Sequence, residues 1–156
     1  MFSNLNTYLA IAEDALAEVQ RLDVAGRRPK PNGEPGFIIT FDPDRKSFKQ
    51  SLIALVFAGV YLEALMYIVG TQRLGKNAYL KIDRKKYEEK LVDLGIRDLE
   101  LLSNCTRFRE ARNDLVHEKA VEIEKFGAAQ LRNAQEEAKI GVEFVRSVAV
   151  ALHNVP

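Results

Sequence analysis

The sequence predicts an all-α protein, an up-and-down bundle of four to five helices in a single domain covering residues 1–156. Two observations lead to this. Hydrophobic residues make up 47% of the chain, enough to build a core. They recur at helical spacing over most of its length. A third observation marks the one interruption: Pro29, Pro31, Pro35 and Pro43 gather with Gly26, Gly33 and Gly36 in residues 25–43, a Pro/Gly-rich insert between the first two helices. A chain of 156 residues buries enough surface to stand without disulfide staples.

The first helix is expected over residues 4–22, with Ser3 as its cap and Leu5, Leu9, Ile11, Ala12, Leu16 and Val19 on its apolar face. Within the insert, residues 37–41 are β-prone and predict a short extended segment. Asp44 is placed to cap a second helix reaching Val69, and residues 70–82 read as a connection. Asp83 is placed to cap a third helix that stops at Gly95. Asp98 opens the fourth, which carries Leu101, Leu102, Cys105, Phe108 and Leu115 and runs to Ala120. Gly127 precedes the last helix, residues 128–154.

Bulk properties narrow the functional classes. A formal net charge of +1 gives no global attraction for nucleic acid or an anionic membrane, so any RNA contact must come from a local patch. Cys105 is the single cysteine, which excludes an internal disulfide and a cysteine-based metal cluster and fits a reducing cytoplasm. The sequence offers no set of metal ligands, His153 lying far along the last helix, and no cofactor is expected. Residues 1–20 carry acidic side chains and no basic leading segment, unlike a secretory signal. Residues 51–70 are apolar and long enough to span a bilayer, but Glu63 sits among them, and a carboxylate is costly in lipid. The expectation is the central helix of a soluble bundle.

The run Arg112-Asn113-Asp114-Leu115-Val116-His117 carries the most chemistry. It sets a permanent cation, a carboxamide and a titratable imidazole within about two helical turns. On a helical wheel Arg112 falls in the middle of the apolar face formed by Leu101, Cys105, Phe108 and Leu115, while Asn113 and His117 stack on an adjoining stripe. A guanidinium on an apolar face needs a carboxylate, a partner subunit or a cleft. Glu63, which also interrupts an apolar helix, is the expected partner. The same residues admit a purely structural role: an ion pair that sets helix register, and a histidine that answers a helix dipole.

This run resembles the Arg-x4-6-His signature of the HEPN superfamily, in which the residue after the arginine is commonly polar, as Asn113 is. The layout is similar as well, a small helical domain with the motif late on a long helix, and the stretch around Glu63 looks like the family's earlier helix with its acidic residue. The resemblance implies a HEPN-like bundle acting as a metal-independent endoribonuclease in a toxin–antitoxin or phage-defence system. It implies a cytoplasmic homodimer in which two motifs share one cleft, with RNA as substrate, an antitoxin protein as partner and no membrane. Carried over by residue, Arg112 contacts the scissile phosphate, His117 transfers protons, Asn113 orients one or the other, and Glu63 supports them. Toxins paired with a minimal nucleotidyltransferase often carry a tyrosine two residues after the histidine. Here that position is Lys119, so regulation through such a tyrosine is not implied.

Arg109, Lys85 and Lys86 are the candidate RNA contacts. The latter two belong to a basic region with Lys81, Arg84 and Lys90, interleaved with Tyr79 and Tyr87. A smaller basic group, Arg27, Arg28 and Lys30, lies in the insert. Two other readings stay open: a non-catalytic HEPN-like interaction or dimerisation domain, and an unrelated helical partner protein.

Overall fold

The computed structural model describes residues 4–39, 42, 44–116 and 133–155; Ser3, His117, Ala120 and Gly127 lie outside them. The chain is mostly helical, and its helices form a bundle. The first helix, α1 (Leu5–Ala25), turns Ala12, Ala15, Leu16 and Val19 into the core, while Leu5, Leu9 and Ile11 of the expected face are only partly covered. A hairpin follows. Strand β1 (Arg27–Pro29) pairs antiparallel with β2 (Phe37–Ile39), Arg28 facing Ile38 across the ladder. All six strand residues are exposed, so the hairpin stands outside the core.

The second helix, α2 (Lys46–Leu74), is the longest element, with 29 residues. Its start is held by Asp42 rather than Asp44. One Asp42 carboxylate oxygen accepts from the Lys46 amide at 3.0 Å, and the other from the Ser47 amide at 2.8 Å and the Ser47 hydroxyl at 2.9 Å. Arg45 enters in the left-handed region, φ 52°, which puts the N-cap position one residue past Asp44 and the helix start at Lys46. Asp44 pairs with Lys46 through its side chain instead.

The expected connection over residues 70–82 is helical. Gly70 does not end α2; it is where the Tyr79 ring lies against the helix, in space a Cβ would fill. The break comes at Gly75, φ +82°, after which α3 (Lys76–Ile82) runs for two turns. The helix expected from Asp83 begins later, as α4 (Tyr87–Asp93), because Asp83 is drawn to the Lys90 ammonium at 3.2 Å instead of capping. Gly95 closes that turn in a left-handed conformation, as expected. The unexpected α3 raises the number from four or five to six among the described residues.

The fifth helix, α5 (Leu99–Val116), is capped as expected: Asp98 accepts from the amides of Glu100 and Leu101. The last, α6 (Ala134–Asn154), begins after Asn133, which is extended and whose side chain accepts from the amides of Gln135 and Glu136; the expected start at Ala128 lies outside the described residues.

Packing radiates from α2. Helices α1, α3, α5 and α6 all rest on it. Leu55, Ala58, Leu62 and Met66 are fully enclosed with Ala12, Phe108, Val142 and Val145. Arginines tie the layers together at their rims. Arg146 of α6 binds Glu13 of α1, Arg107 of α5 binds Glu137 of α6, and Arg73 of α2 donates to the carbonyls of Leu94, Leu152 and Val155. Among the described residues α2 is the one helix long and apolar enough to cross a membrane by length and composition, and the core helix of a soluble protein passes the same test.

The fit of Tyr79 against Gly70 gives a sharp test of this packing. Gly70→Ala adds a methyl group that a rigid, fully buried ring has no room to avoid. Overpacking outweighs the gain in helix propensity, and urea denaturation should show a loss of about 1–2 kcal/mol.

Candidate functional site

The apolar character of α2 and α5 leaves few places for charge between them, and one is occupied by Arg112. Its side chain comes off the buried face of α5, beside Ala111 and Phe108, and crosses onto α2 at Gly59. A Cβ at position 59 would sit 2.6 Å from Arg112 Nε and 2.9 Å from Cδ and Cζ, so the absence of a side chain there makes the notch that admits the guanidinium. One turn further along α2 stands Glu63. Arg112 Nη1 lies 3.3 Å from Glu63 Oε1, the pairing expected from two charges on two apolar helices.

A third side chain completes the arrangement. Tyr87, the first residue of α4, accepts from Arg112 Nη1 at 2.8 Å and donates its own hydroxyl to Glu63 Oε1. Arginine, tyrosine and carboxylate thus form a closed triangle joining α5, α4 and α2. The Arg112 side chain is 23% exposed and that of Glu63 47%, so the triangle opens to solvent on the glutamate side. Arg112 Nε is buried against Gly59 and lacks a hydrogen-bond partner among the described residues. Leaving such a donor unpaired costs about 1–3 kcal/mol. Arg112 Nη2 bonds to none of the described residues.

Burial first, and the bond to Glu63 second, hold the Tyr87 phenol well above the ordinary tyrosine range. Nearby Tyr79 is pushed up to about 12, by burial and then by the Asp83 charge. The Cys105 thiol, buried one turn before Arg109 on α5, is raised to about 12, chiefly by burial, and stays a neutral, unreactive packing group.

The structure brings Arg112 and Glu63 together and sets Asn113 on the exposed flank of α5. His117 lies outside the described residues. Arg109, three residues before Arg112, gives both edges of its fork to Glu88 of α4, with Nε–Oε2 at 3.2 Å and Nη2–Oε1 at 3.1 Å. Lys85 is held by Asp93 at 2.8 Å. Lys86 is exposed immediately before Tyr87, with Arg84 and Lys81 exposed along the same approach. Lys90 departs from this group: it is buried, against Asp83. In the hairpin, Arg27 is paired with Asp23. A cavity of about 680 Å³ at the junction of α1, α2 and α6 contains none of the candidate residues.

Sequence reasoning placed Tyr87 only among aromatics interleaved with basic residues and overlooked Gly59. A glycine inside a long helix costs about 1 kcal/mol against alanine, and that cost is the signal that another chain segment needs the space. Compared with protein-family models, curated proteins and solved structures, the chain matches none.

The buried phenols imply an alkaline limit to stability. An unfolded tyrosine ionises near pH 10, while native Tyr79 holds its proton to about 12 and native Tyr87 is also shifted upward. Between these values the native state binds more protons than the unfolded one, so stability is full below about pH 10 and falls as pH rises. Urea titrations between pH 8 and 11.5, with tyrosinate absorbance followed alongside, should show the loss. Tyr79→Phe should reduce its slope.

Proposed function

We propose that the chain is a metal-independent endoribonuclease of HEPN type. The observation that carries this reading is the placement of Arg112, drawn from the late long helix onto Gly59 and Glu63 of α2 with Nη2 left without a bond to the described residues. His117 follows five residues later in the sequence. The chemistry needs little more. RNA supplies its own nucleophile in the 2′-hydroxyl. An imidazole takes the 2′ proton while the 2′-oxygen bonds to phosphorus. The bond to the 5′-oxygen breaks, and a second imidazole protonates that leaving oxygen. An arginine stabilises the charge that builds on the equatorial oxygens. One His117 per chain supplies one of the two proton transfers, so the reading calls for a homodimer with both motifs in one cleft.

A feature of α2 supports such pairing. Ile53, Val56, Val60, Ala64 and Tyr67 recur at helical spacing on a face that is only partly covered, and Glu63 borders it. Lys86 and Arg84 are placed to meet phosphates approaching from α4. A cytoplasmic toxin–antitoxin or phage-defence setting, with an antitoxin protein as partner, belongs to this proposal.

A second reading has its own observation. Arg112 is held by Tyr87 and Glu63 and inset against Gly59, as a residue fixing helix register would be. On that reading the chain is a non-catalytic helical interaction or dimerisation domain.

Cleavage of labelled mixed-sequence RNA in EDTA separates the two. The nuclease reading expects 2′,3′-cyclic phosphate ends and a loss of about 100-fold or more in Arg112→Ala and His117→Ala. A folded, dimeric wild type that leaves a broad panel of RNAs intact supports the interaction domain.

A further inference from the structure

One side chain at the site has no assigned part in the chemistry. Tyr87 begins α4, packs its ring against the core and ends in the triangle with Arg112 and Glu63. We infer that Tyr87 is a positioning residue for Arg112, fixing which edge of the guanidinium faces outward, with Gly59 as the opposing wall. The part played in RNA cleavage rests on the nuclease reading above; the fixing of the guanidinium does not.

A guanidinium presents five N–H donors and accepts nothing. Arg112 Nε is turned into α2, where Gly59 leaves room for it and offers no acceptor. Nη1 reaches the Tyr87 oxygen at 2.8 Å and Glu63 at the longer distance of 3.3 Å. With those donors engaged or enclosed, the two N–H groups of Nη2 point where neither α2 nor α4 provides a partner. The tyrosine achieves this because its hydroxyl is used in both senses, accepting from Arg112 and donating to the carboxylate. A phenylalanine keeps the ring against the core but removes the shorter of the two Nη1 contacts. The guanidinium then hangs on a single 3.3 Å approach to a half-exposed glutamate, and rotation about its Nε–Cζ bond is freed.

This geometry also explains why the structure tolerates an unpaired buried Nε. An arginine needed only to join α5 to α2 does better with its Nε–Nη2 fork on a carboxylate, as Arg109 does on Glu88. The notch at Gly59 and the hydroxyl of Tyr87 together turn that fork away.

The test uses the full chain as wild type, Tyr87→Phe and Gly59→Ala, with thermal unfolding to establish that each variant folds. Nitrogen NMR of the arginine side chains, with Arg112 assigned by its loss in Arg112→Lys, reads the restraint directly. The wild type should show separate Nη1 and Nη2 signals for Arg112, and both variants should show them merged. Identical Arg112 signals in wild type and Tyr87→Phe overturn the inference. RNA cleavage supplies the second readout: kcat should fall about 30-fold or more in Tyr87→Phe, with KM changed less than threefold. If RNA is cleaved equally well by wild type and Tyr87→Phe, positioning by Tyr87 in catalysis is refuted. If no RNA is cleaved by any form while the NMR difference stands, the nuclease reading fails and the positioning of Arg112 survives. Should Tyr87→Phe not fold, the wild-type spectrum decides the matter: merged Nη1 and Nη2 signals for Arg112 with Tyr87 in place overturn the inference.

Discussion

Everything in this fold answers to one constraint, a helix of 29 residues that is apolar almost throughout and must be covered. A helix with a single apolar stripe can lie on the surface of a domain; α2 has no polar face to give to solvent. Four helices therefore pack on it, and its own sequence decides how closely each approaches. The fully buried Ala54, Ala58 and Leu62 accept flat helix–helix contact. The two glycines accept more, because a segment placed there reaches the backbone itself. Gly70 takes the ring of Tyr79 and Gly59 takes the guanidinium of Arg112. They lie 11 residues apart, close to three turns, so both notches open on one side of α2 and Glu63 stands between them on that side. The polar site is thus a consequence of how the apolar helix is notched.

How much of this could be read from residues follows from what each signal reports. The fold class and the longer helices were legible because apolar spacing over many turns is hard to satisfy any other way. The pairing of Arg112 with Glu63 was legible for a related reason: two charges on two apolar helices have few places to go but toward each other. Asp98 was legible as a cap because it directly precedes the apolar run of α5, and its carboxylate accepts from the amides two and three residues on. Asp44 was not, since Asp42 lies two residues away and the turn at Arg45 decides between them. Residues 70–82 were misread for a physical reason too. A glycine is equally the mark of a helix end and of a close approach, and only the position of Tyr79, nine residues later, says which. Tyr87 was legible as an aromatic but not as a hydrogen-bond bridge, because its partners are 24 and 25 residues away in opposite directions along the chain.

The arginines of the bundle show what is distinctive about position 112. Arg107, Arg109 and Arg146 each turn Nε and Nη2 onto a carboxylate of a neighbouring helix, the planar fork geometry that makes arginine a strong structural cross-link. Arg73 spends its terminal nitrogens on backbone carbonyls at the ends of α4 and α6. In all four the charge is consumed by the protein. Arg112 is held at Nη1 alone, its Nε is enclosed without a partner, and Nη2 engages none of the described residues. An arginine fixed in this way has little to offer a carboxylate or phosphate that wants two parallel hydrogen bonds, because one half of the fork is shut inside the protein. It suits a single oxygen that gains charge at a defined point. Held by its other nitrogens, it need not reorganise as that charge appears, and such preorganisation acts on the rate of a reaction more than on the affinity for its substrate.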